Sequence, residues 1–279
     1  MPFFVSQKEK NMKKTYLLPF LMGLFSLIGC DMIEYHPYDL DIHGETGINA
    51  KNIQRIEGNL NKKEKIAFAV ISDTQRWYDE TQEVVEVLNQ RNDLDFVVHT
   101  GDISDFGMKM EFEKQRDILN GLRVPYVCLL GNHDCLATGQ EVFNRIFGPE
   151  NFSFTTGHTH FICLNTNALE FDYSAAIPDF TFLKNELTNL PEQVTKTVVA
   201  MHAGPFSEQF NNNVVDVFHH YLKQFPGLQF CVYGHGHSIQ ADDFFNDGVM
   251  YYECTCIHKR AYLYFTINEN EYTYEVVDF

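Results

Sequence analysis

The sequence predicts an α/β protein in which two mixed β-sheets form a sandwich flanked by helices. From residue 65 onward, short runs of β-branched and aromatic residues alternate with segments whose apolar residues recur every three or four positions. This is the pattern of alternating strands and helices. Beyond residue 248 only strand-like runs remain, so antiparallel strands are expected to follow the parallel ones. A two-sheet sandwich with outer helices accommodates both halves.

The first half of the pattern predicts three strands joined by two helices. The apolar runs that predict the strands are residues 65–72, 94–100 and 124–130. Val84, Val85 and Leu88 share one face of the first helix. Asp105 is expected to cap the second helix, and Gly121 is expected to end it.

The second half of the pattern predicts a hairpin, two further strand–helix pairs and a run of strands. The hairpin is expected at residues 152–157 and 159–165. The helices of the two strand–helix pairs are expected to end before Pro191 and before Pro226, since proline cannot continue a helix. The remaining predicted strands are residues 196–202, 229–235, 249–255, 261–267 and 272–277.

The N-terminal segment has the features of a lipoprotein signal peptide. Lys13 and Lys14 precede an apolar run over 16–29, which is shorter than the ~20 residues that span a bilayer. The run ends in Leu-Ile-Gly-Cys, which resembles a bacterial lipobox with Cys30 as the lipidated residue. We therefore expect an exported protein that is held at a membrane of the cell envelope by a lipid on Cys30. The alternative is a buried N-terminal helix with a chance cysteine.

These features predict three segments. Residues 1–29 are expected to be the signal peptide, and residues 30–64 a polar tether with a short helix near 52–58. Residues 65–279 are expected to form one domain, because no Pro/Gly/Ser-rich linker or charge block divides them.

The charge of the chain argues against a nucleic-acid partner. The formal net charge is −17 at pH 7, which repels nucleic-acid backbones. If the substrate carries phosphate, bound cations must supply the local positive charge, and clustered acidic residues could hold them.

Polar residues that can bind metals fall at the carboxyl ends of successive predicted strands. The five clusters are Asp73-Thr74-Gln75, Gly101-Asp102, Gly131-Asn132-His133-Asp134, His202 and Gly234-His235-Gly236-His237. Ligands of open α/β sheets bind at those strand ends, so we expect the clusters to meet in space. Each cluster alone is a weak signal, but five in order are hard to assign to chance.

Together the clusters resemble the calcineurin-like metallophosphoesterase superfamily, whose pattern is DxH, GD, GNH(D/E), H and GHxH. The resemblance covers about residues 65–277 and implies that fold, two bound divalent metal ions, and hydrolysis of a phosphate mono- or diester by a metal-bridging hydroxide. The ligands that it implies are Asp73, Gln75 and His237 for one metal, Asn132, His202 and His235 for the other, and Asp102 as the bridge.

Two further residues are implied to act in catalysis. By resemblance, His133 would lie beside the metals and protonate the leaving oxygen, while Asp134 would hydrogen-bond the far side of its imidazole. One departure concerns the metal, because Gln75 stands where the family usually has histidine. An amide oxygen is a harder ligand, so Mn, Mg or Fe(II) is favoured over Zn at that position.

The substrate itself is not predicted by these motifs. Arg76, Trp77 and Tyr78 follow the first cluster and could contact it, as could Asn165 at the end of another strand. A catalytically reduced metal- or ligand-binding lipoprotein and a protein phosphatase remain alternatives. The first is disfavoured because a binding protein would not need the proton donor His133.

Overall fold

The computed structural model describes residues 38–60, 63–172 and 174–279. The predicted signal peptide and the predicted lipidation site at Cys30 lie outside these residues. Within them, no helix combines the length and the apolar character that a membrane crossing requires.

The described residues contain two mixed sheets with helices outside them, as the sequence predicts. The strands are β1 (Ile66–Ile71), β2 (Phe96–His99), β3 (Tyr126–Cys128), β4 (Phe152–Thr156), β5 (Thr159–Leu164), β6 (Lys196–Met201), β7 (Leu228–Tyr233), β8 (Gln240–Asp242), β9 (Met250–Glu253), β10 (Ala261–Ile267) and β11 (Tyr272–Asp278). The helices are α1 (Ile48–Leu60), α2 (Tyr78–Leu88), α3 (Lys109–Leu119), α4 (Gly139–Ile146), α5 (Ala168–Phe171), α6 (Phe180–Asn189) and α7 (Val215–Leu222).

Parallel strands form the centre of each sheet. The first sheet has the order β11-β10-β1-β2-β3, in which β1, β2 and β3 are parallel and the β10–β11 hairpin is antiparallel to β1. The second has the order β4-β5-β6-β7-β9-β8, in which β5, β6, β7 and β9 are parallel. The five strands β1, β2, β3, β6 and β7 therefore end in the loops that carry the predicted site residues.

An aromatic core lies between the sheets. The ring of Phe68 stacks on Phe96 and Phe265 with centroids 5.2 and 5.4 Å apart, and it meets Phe161 of the second sheet edge-on. Such pairs are typical of well-packed interiors. Helices α2, α3 and α4 cover the outer face of the first sheet, while α6 and α7 cover that of the second. The central strands, such as β1, β2 and β3, are thus buried on both faces, which holds their carboxyl ends in fixed positions.

Helix α1 is longer than the predicted helix near 52–58, and it belongs to the folded domain rather than to a tether. It lies against the edge strand β3, where the Asn49 side chain donates to the carbonyl oxygen of Cys128 at 2.8 Å and accepts from its N–H at 2.9 Å. Asn52 donates to the carbonyl oxygen of Tyr126 at 2.8 Å. These amides satisfy backbone groups that an open sheet edge would leave unpaired.

Helix α3 begins later than predicted. Its N-cap is Met108 rather than Asp105, and the carboxylate of Glu111 accepts from the N–H groups of Phe106 and Met108 at 3.0 and 3.1 Å. Asp105 lies three residues before this cap, and its carboxylate is paired with Arg76 instead.

Candidate metal centre

The loops that follow the five parallel strands bring all seven predicted metal ligands together. Backbone hydrogen bonds join the first two loops, since Asp73 N–H donates to Gly101 and Gln75 N–H donates to Asp102, both at 3.0 Å. Oxygen and nitrogen atoms of Asp73, Asp102 and His202 lie within 4.8 Å of one another, and all three residues are buried. This arrangement is compatible with a bound metal ion.

One side of the centre is built around Asp73. Its Oδ1 atom accepts from Nε2 of His237 at 3.1 Å, and its Oδ2 accepts from Ser72 and from the backbone N–H of His235. Burial alone would raise the pKa of Asp73, but the hydrogen bond from His237 and nearby histidine charge hold this pKa at about 2. The carboxylate is therefore ionised at neutral pH.

The other side is built around the side-chain oxygen of Asn132. This Oδ1 lies 3.0 Å from Nε2 of His202 and 3.0 Å from Nδ1 of His235. The Nδ1 atom of His202 lies 3.0 Å from the carbonyl oxygen of Thr100, which can only accept, so Nδ1 carries the ring proton. Burial lowers the pKa of His202 to about 3, which keeps the ring neutral.

The neutral His202 ring directs a lone pair at oxygen atoms. Its Nε2 lies 3.0 Å from Oδ1 of Asn132 and 3.4 Å from Oδ1 of Asp102, and Nε2 itself carries no proton to donate to either oxygen. Three electron-rich atoms that face each other in a buried site repel one another, and a cation placed among them would remove that repulsion. The donor set therefore fits a divalent metal.

Asp102 brings a second carboxyl group into the buried centre beside Asp73. Burial and the neighbouring charges of Asp73 and Asp134 raise its pKa well above the usual range. Its Oδ1 accepts from the backbone N–H of His133 at 2.9 Å, and its Oδ2 accepts from Gln75 at 3.0 Å. Ionising both carboxyl groups in this buried site would destabilise the metal-free protein.

Backbone strain is concentrated in the same loops. Five of the seven predicted ligands have positive φ angles, and in the described residues only five other non-glycine positions do. The ligands and their φ values are Asp73 (52°), Gln75 (26°), Asp102 (57°), His235 (74°) and His237 (56°). Such conformations are unfavourable for residues with side chains and tend to cluster at functional sites.

The catalytic pair differs from the prediction. The Nδ1 atom of His133 is bonded to the carbonyl oxygen of Asp105 at 2.9 Å, and a carboxylate oxygen of Asp105 lies 3.8 Å away. Asp134 does not serve as the predicted partner, because its carboxylate accepts from Ile103, Ser104 and Gly131 instead. Asp134 thus ties two loops together, and Asp105 was missed although it lies only three residues after Asp102.

Three of the residues predicted to contact the substrate differ in their exposure and in their partners within the protein. Arg76 is more than half exposed and is paired with Asp105 at 2.5 Å, while Trp77 stacks on His258 with ring centroids 4.0 Å apart. Asn165 is fully buried. Its hydrogen bonds go to the neighbouring residues Glu150, Asn151 and Asn167. Asn165 is therefore a structural residue and cannot contact a substrate from solution.

Glu208 is a second residue that the sequence did not reveal. Its Oε1 lies 3.0 Å from Nε2 of His235, the ring atom opposite the one that faces Asn132. A carboxylate in this position orients a metal-binding histidine. No sequence motif marks Glu208, because its contact with His235 depends on the path of the loop after β6.

The sequence is similar to a family model and to curated proteins named as phosphodiesterases. A family model described as calcineurin-like phosphoesterase matches residues 66–238. A 3′,5′-cyclic-nucleotide phosphodiesterase of Nostoc sp. is 27% identical over 199 residues, which are 64% of this chain and 74% of that protein. A probable cyclic nucleotide phosphodiesterase of Rhodopseudomonas palustris is 31% identical over 64 residues, which are 23% of this chain and 22% of that protein.

Solved structures share the fold at low sequence identity. A dimetal phosphatase from Danio rerio superimposes with a TM-score of 0.63 at 13% identity, over 76% of this chain and 96% of that one. The purple acid phosphatase PPD1 from yellow lupin gives 0.61 at 13% identity, over 78% of this chain and 52% of that one. Since the family model spans more than half of the chain and all five strand-end clusters, this chain belongs to the calcineurin-like phosphoesterase family of hydrolases.

Proposed function

We propose that this protein hydrolyses a phosphate ester with two divalent metal ions held by the candidate metal centre. The observation that carries the proposal is the lone pair on Nε2 of His202, which faces the oxygens of Asn132 and Asp102 and has no ring proton to donate to them. A cation bound among these atoms would make that buried arrangement favourable. The strained loops that present the ligands support the same reading.

The seven ligands would divide between the two ions as the family pattern implies. Asp73, Gln75 and His237 would hold one ion, Asn132, His202 and His235 would hold the other, and Asp102 would serve both. When bound, such ions offset the charge of a phosphoryl group and lower the pKa of a water molecule. The amide nitrogen of Gln75 donates to Asp102, which leaves its carbonyl oxygen as the ligand atom and favours Mn, Mg or Fe(II) over Zn.

His133 would supply the proton for the leaving oxygen. The carbonyl oxygen of Asp105 accepts from Nδ1, so this atom holds a proton and Nε2 is the atom free to face the substrate. A carboxylate oxygen of Asp105 lies 3.8 Å from the same Nδ1 atom. The His133 side chain is 37% exposed, which leaves it accessible to an incoming ester.

Arg76 and Trp77 are proposed to contact the substrate beside His133. The Arg76 guanidinium is anchored by Asp105, whose carbonyl oxygen also holds His133. A cation in this position can bind a phosphate oxygen that the metals do not. We propose that the ester is a small or medium one, and that nucleic acid is not a substrate because the chain is strongly acidic.

The substrate assay should compare diesters, monoesters and phosphopeptides. The Nostoc relative is named a 3′,5′-cyclic-nucleotide phosphodiesterase, so bis-p-nitrophenyl phosphate and 3′,5′-cyclic AMP are the diesters to test, with p-nitrophenyl phosphate as the monoester. We expect turnover of at least one ester with Mn²⁺ and none after chelation with EDTA. Binding of Mn²⁺ without turnover of any ester would favour the metal-binding lipoprotein, and preferential phosphopeptide turnover would favour a protein phosphatase.

We also propose that the protein acts in the cell envelope, anchored through a lipid on Cys30. The support is the basic and apolar pattern of residues 13–29 and the Leu-Ile-Gly-Cys sequence that ends it.

A further inference from the structure

The turn that carries His235 and His237 is strained and must be held by its surroundings. Both histidines have positive φ angles, 74° and 56°. The turn between them has one short backbone hydrogen bond, from Gly236 N–H to the carbonyl oxygen of Gly234 at 2.9 Å. A conformation of this kind persists only where neighbouring groups determine it.

Glu253, at the end of β9, packs directly under this turn. Its side chain is almost fully buried, at 4% exposure. One carboxylate oxygen accepts from the Ser238 hydroxyl at 2.9 Å, and the other accepts from the Ser238 N–H at 3.3 Å. Glu253 therefore fixes the residue that follows His237 in the chain.

The same carboxylate occupies the space that a side chain at Gly236 would need. A Cβ atom on Gly236 would lie 2.2 Å from Oε1 of Glu253 and 3.0 Å from its carboxyl carbon. These distances are too short for non-bonded atoms. The carboxylate of Glu253 can therefore pack against the turn only because residue 236 is a glycine.

This contact is a feature of this chain rather than of the family pattern. The pattern GHxH leaves open the residue between the histidines, which is Gly236 here. Glu253 lies beyond residue 238, where the match to the family model ends. Two more groups from the same part of the chain bind the carbonyl oxygen of His237, the hydroxyl of Thr255 at 2.8 Å and Nζ of Lys259 at 2.7 Å.

We propose that Glu253 is a positioning residue of the candidate metal centre, which fills the space beside Gly236 and, through Ser238, fixes the turn that aims His235 and His237. This inference rests on the proposed function, because it assumes that both histidines bind metal. Glu253 is not one of the seven proposed ligands, and its printed hydrogen bonds go to Ser238. Its loss should therefore loosen the two histidines and weaken metal binding without unfolding the domain.

The test is the affinity of the full chain for Mn²⁺. We would titrate the EDTA-stripped and dialysed protein with Mn²⁺ by calorimetry, and follow the electron paramagnetic resonance signal of the bound ions. Glu253→Ala should weaken Mn²⁺ binding by ~10–100-fold, the usual effect of losing a group that orients metal ligands. Glu253→Gln should stay within about threefold of the wild type, since its amide can accept from Ser238 N–H and donate to the hydroxyl.

Glu186→Ala is the matched control for stability. Glu186 is a partly buried carboxylate that pairs with His160 at 3.2 Å, away from the metal centre. Its replacement should lower the thermal unfolding temperature of the metal-free protein but leave Mn²⁺ affinity unchanged. An equal loss of affinity in both alanine variants would mean that Glu253 is merely structural, and would overturn the proposal.

A second pair of variants tests the contact between Glu253 and Gly236 itself. Gly236→Ala should weaken Mn²⁺ binding at least tenfold, because its Cβ strikes the carboxylate of Glu253. In the Glu253→Ala background the same change should have little added effect, since the atom that it strikes is gone. Additive losses would contradict the proposed contact.

The outcomes separate this inference from the proposed function. If the wild type binds no Mn²⁺, the proposed function fails and the inference fails with it. If the wild type binds Mn²⁺ and Glu253→Ala binds it equally well with the same resonance signal, the inference alone fails.

Discussion

The imidazole Nδ1 of His133 lies 2.9 Å from the backbone carbonyl oxygen of Asp105. A backbone acceptor cannot be removed by a change of side chain, so the ring keeps its orientation whatever residue stands at position 105. The backbone N–H of His133 meanwhile donates to Oδ1 of Asp102 at 2.9 Å. His133 therefore contributes to the site in two separable ways, through its backbone to a proposed metal ligand and through its ring to the proposed chemistry.

Replacing His133 by alanine should separate these two contributions. His133→Ala keeps the backbone N–H that binds Asp102, so it should bind Mn²⁺ like the wild type. It should lose ~10²–10⁴ in kcat, the usual range for a general acid. Metal content by elemental analysis and ester hydrolysis would be measured on the same preparation. Loss of metal from this variant would show that the ring is a ligand and that the proposed roles are wrong.

Asp105→Asn is the companion variant. It keeps the carbonyl oxygen that orients His133 and removes the carboxylate charge, which lies 3.8 Å from the ring and also pairs with Arg76. We expect a smaller loss of kcat than in His133→Ala, about tenfold or less, since this charge acts over a distance and in a partly exposed site. A loss as large as that of the histidine variant would mean that the carboxylate itself is required.

Asp102→Asn should make the metal-free protein more stable while it abolishes activity. Burial and the charges of Asp73 and Asp134 raise the pKa of Asp102, so its ionised form is unfavourable at neutral pH when no metal is bound. An isosteric amide removes that charge, and a gain of about 1 kcal/mol would raise the unfolding temperature by ~2–4 °C in EDTA. The same variant should bind Mn²⁺ poorly and hydrolyse no ester. A lower unfolding temperature in EDTA would contradict this account of the charge.

The sequence predicts the central strands and the convergence of the site residues because both depend on local patterns. Runs such as Ile66–Ile71 are apolar over their whole length, and the polar residues that follow them necessarily lie at one edge of a parallel sheet. Helix α1 was underestimated for the opposite reason. Asn49 and Asn52 count as solvent-facing in any local pattern, yet they are buried because they bind the edge strand β3 more than 70 residues away.

The partners of acidic side chains were also beyond local prediction. Asp134 and Asp105 are both close to His133 in the folded chain, and the motif alone assigned the imidazole to Asp134. In the structure the carboxylate of Asp134 accepts hydrogen bonds from the N–H groups of Ile103, Ser104 and Gly131. The first two of these donors lie in the loop after β2, which points them toward Asp134. Which carboxylate meets which donor depends on loop conformation, and the sequence does not encode that in a readable spacing.

Arg76→Ala should raise KM more than it lowers kcat. The guanidinium is more than half exposed, so its contact with a phosphate oxygen would be worth about 1 kcal/mol, which is roughly fivefold in KM. Arg91→Ala is a suitable control, because Arg91 is paired with Asp93 and stacks on Tyr264 away from the metal centre. Steady-state kinetics on one ester would compare the three proteins. An unchanged KM in Arg76→Ala would remove Arg76 from the substrate contacts.

Cys30→Ala should abolish lipid attachment. Lipidation at this cysteine requires its thiol, so cells that express the variant should not incorporate a fatty-acid analogue into the protein, and the protein should leave the membrane fraction. Cys135→Ala is the control, since Cys135 lies inside the folded domain. Labelling that persists in the Cys30 variant would refute the lipobox interpretation.

His99 should make the metal-free protein less stable as the pH falls. Its Nδ1 accepts from the Gly101 N–H at 3.1 Å, so the proton lies on Nε2, which faces the Thr74 hydroxyl at 2.9 Å. Burial lowers the pKa of His99 to about 4, whereas an unfolded histidine titrates near ~6.5. The folded state therefore binds fewer protons in this window, and stability present above pH ~6.5 is lost as the pH falls toward 4, by up to about 3 kcal/mol. The variant His99→Asn keeps an acceptor for the Gly101 N–H and has no group that titrates in this range. The unfolding free energy of the variant in EDTA should therefore depend less steeply on pH. At neutral pH this free energy should be lower than that of the wild type. Parallel pH curves for the two proteins would show that the buried ring does not contribute to the acid sensitivity.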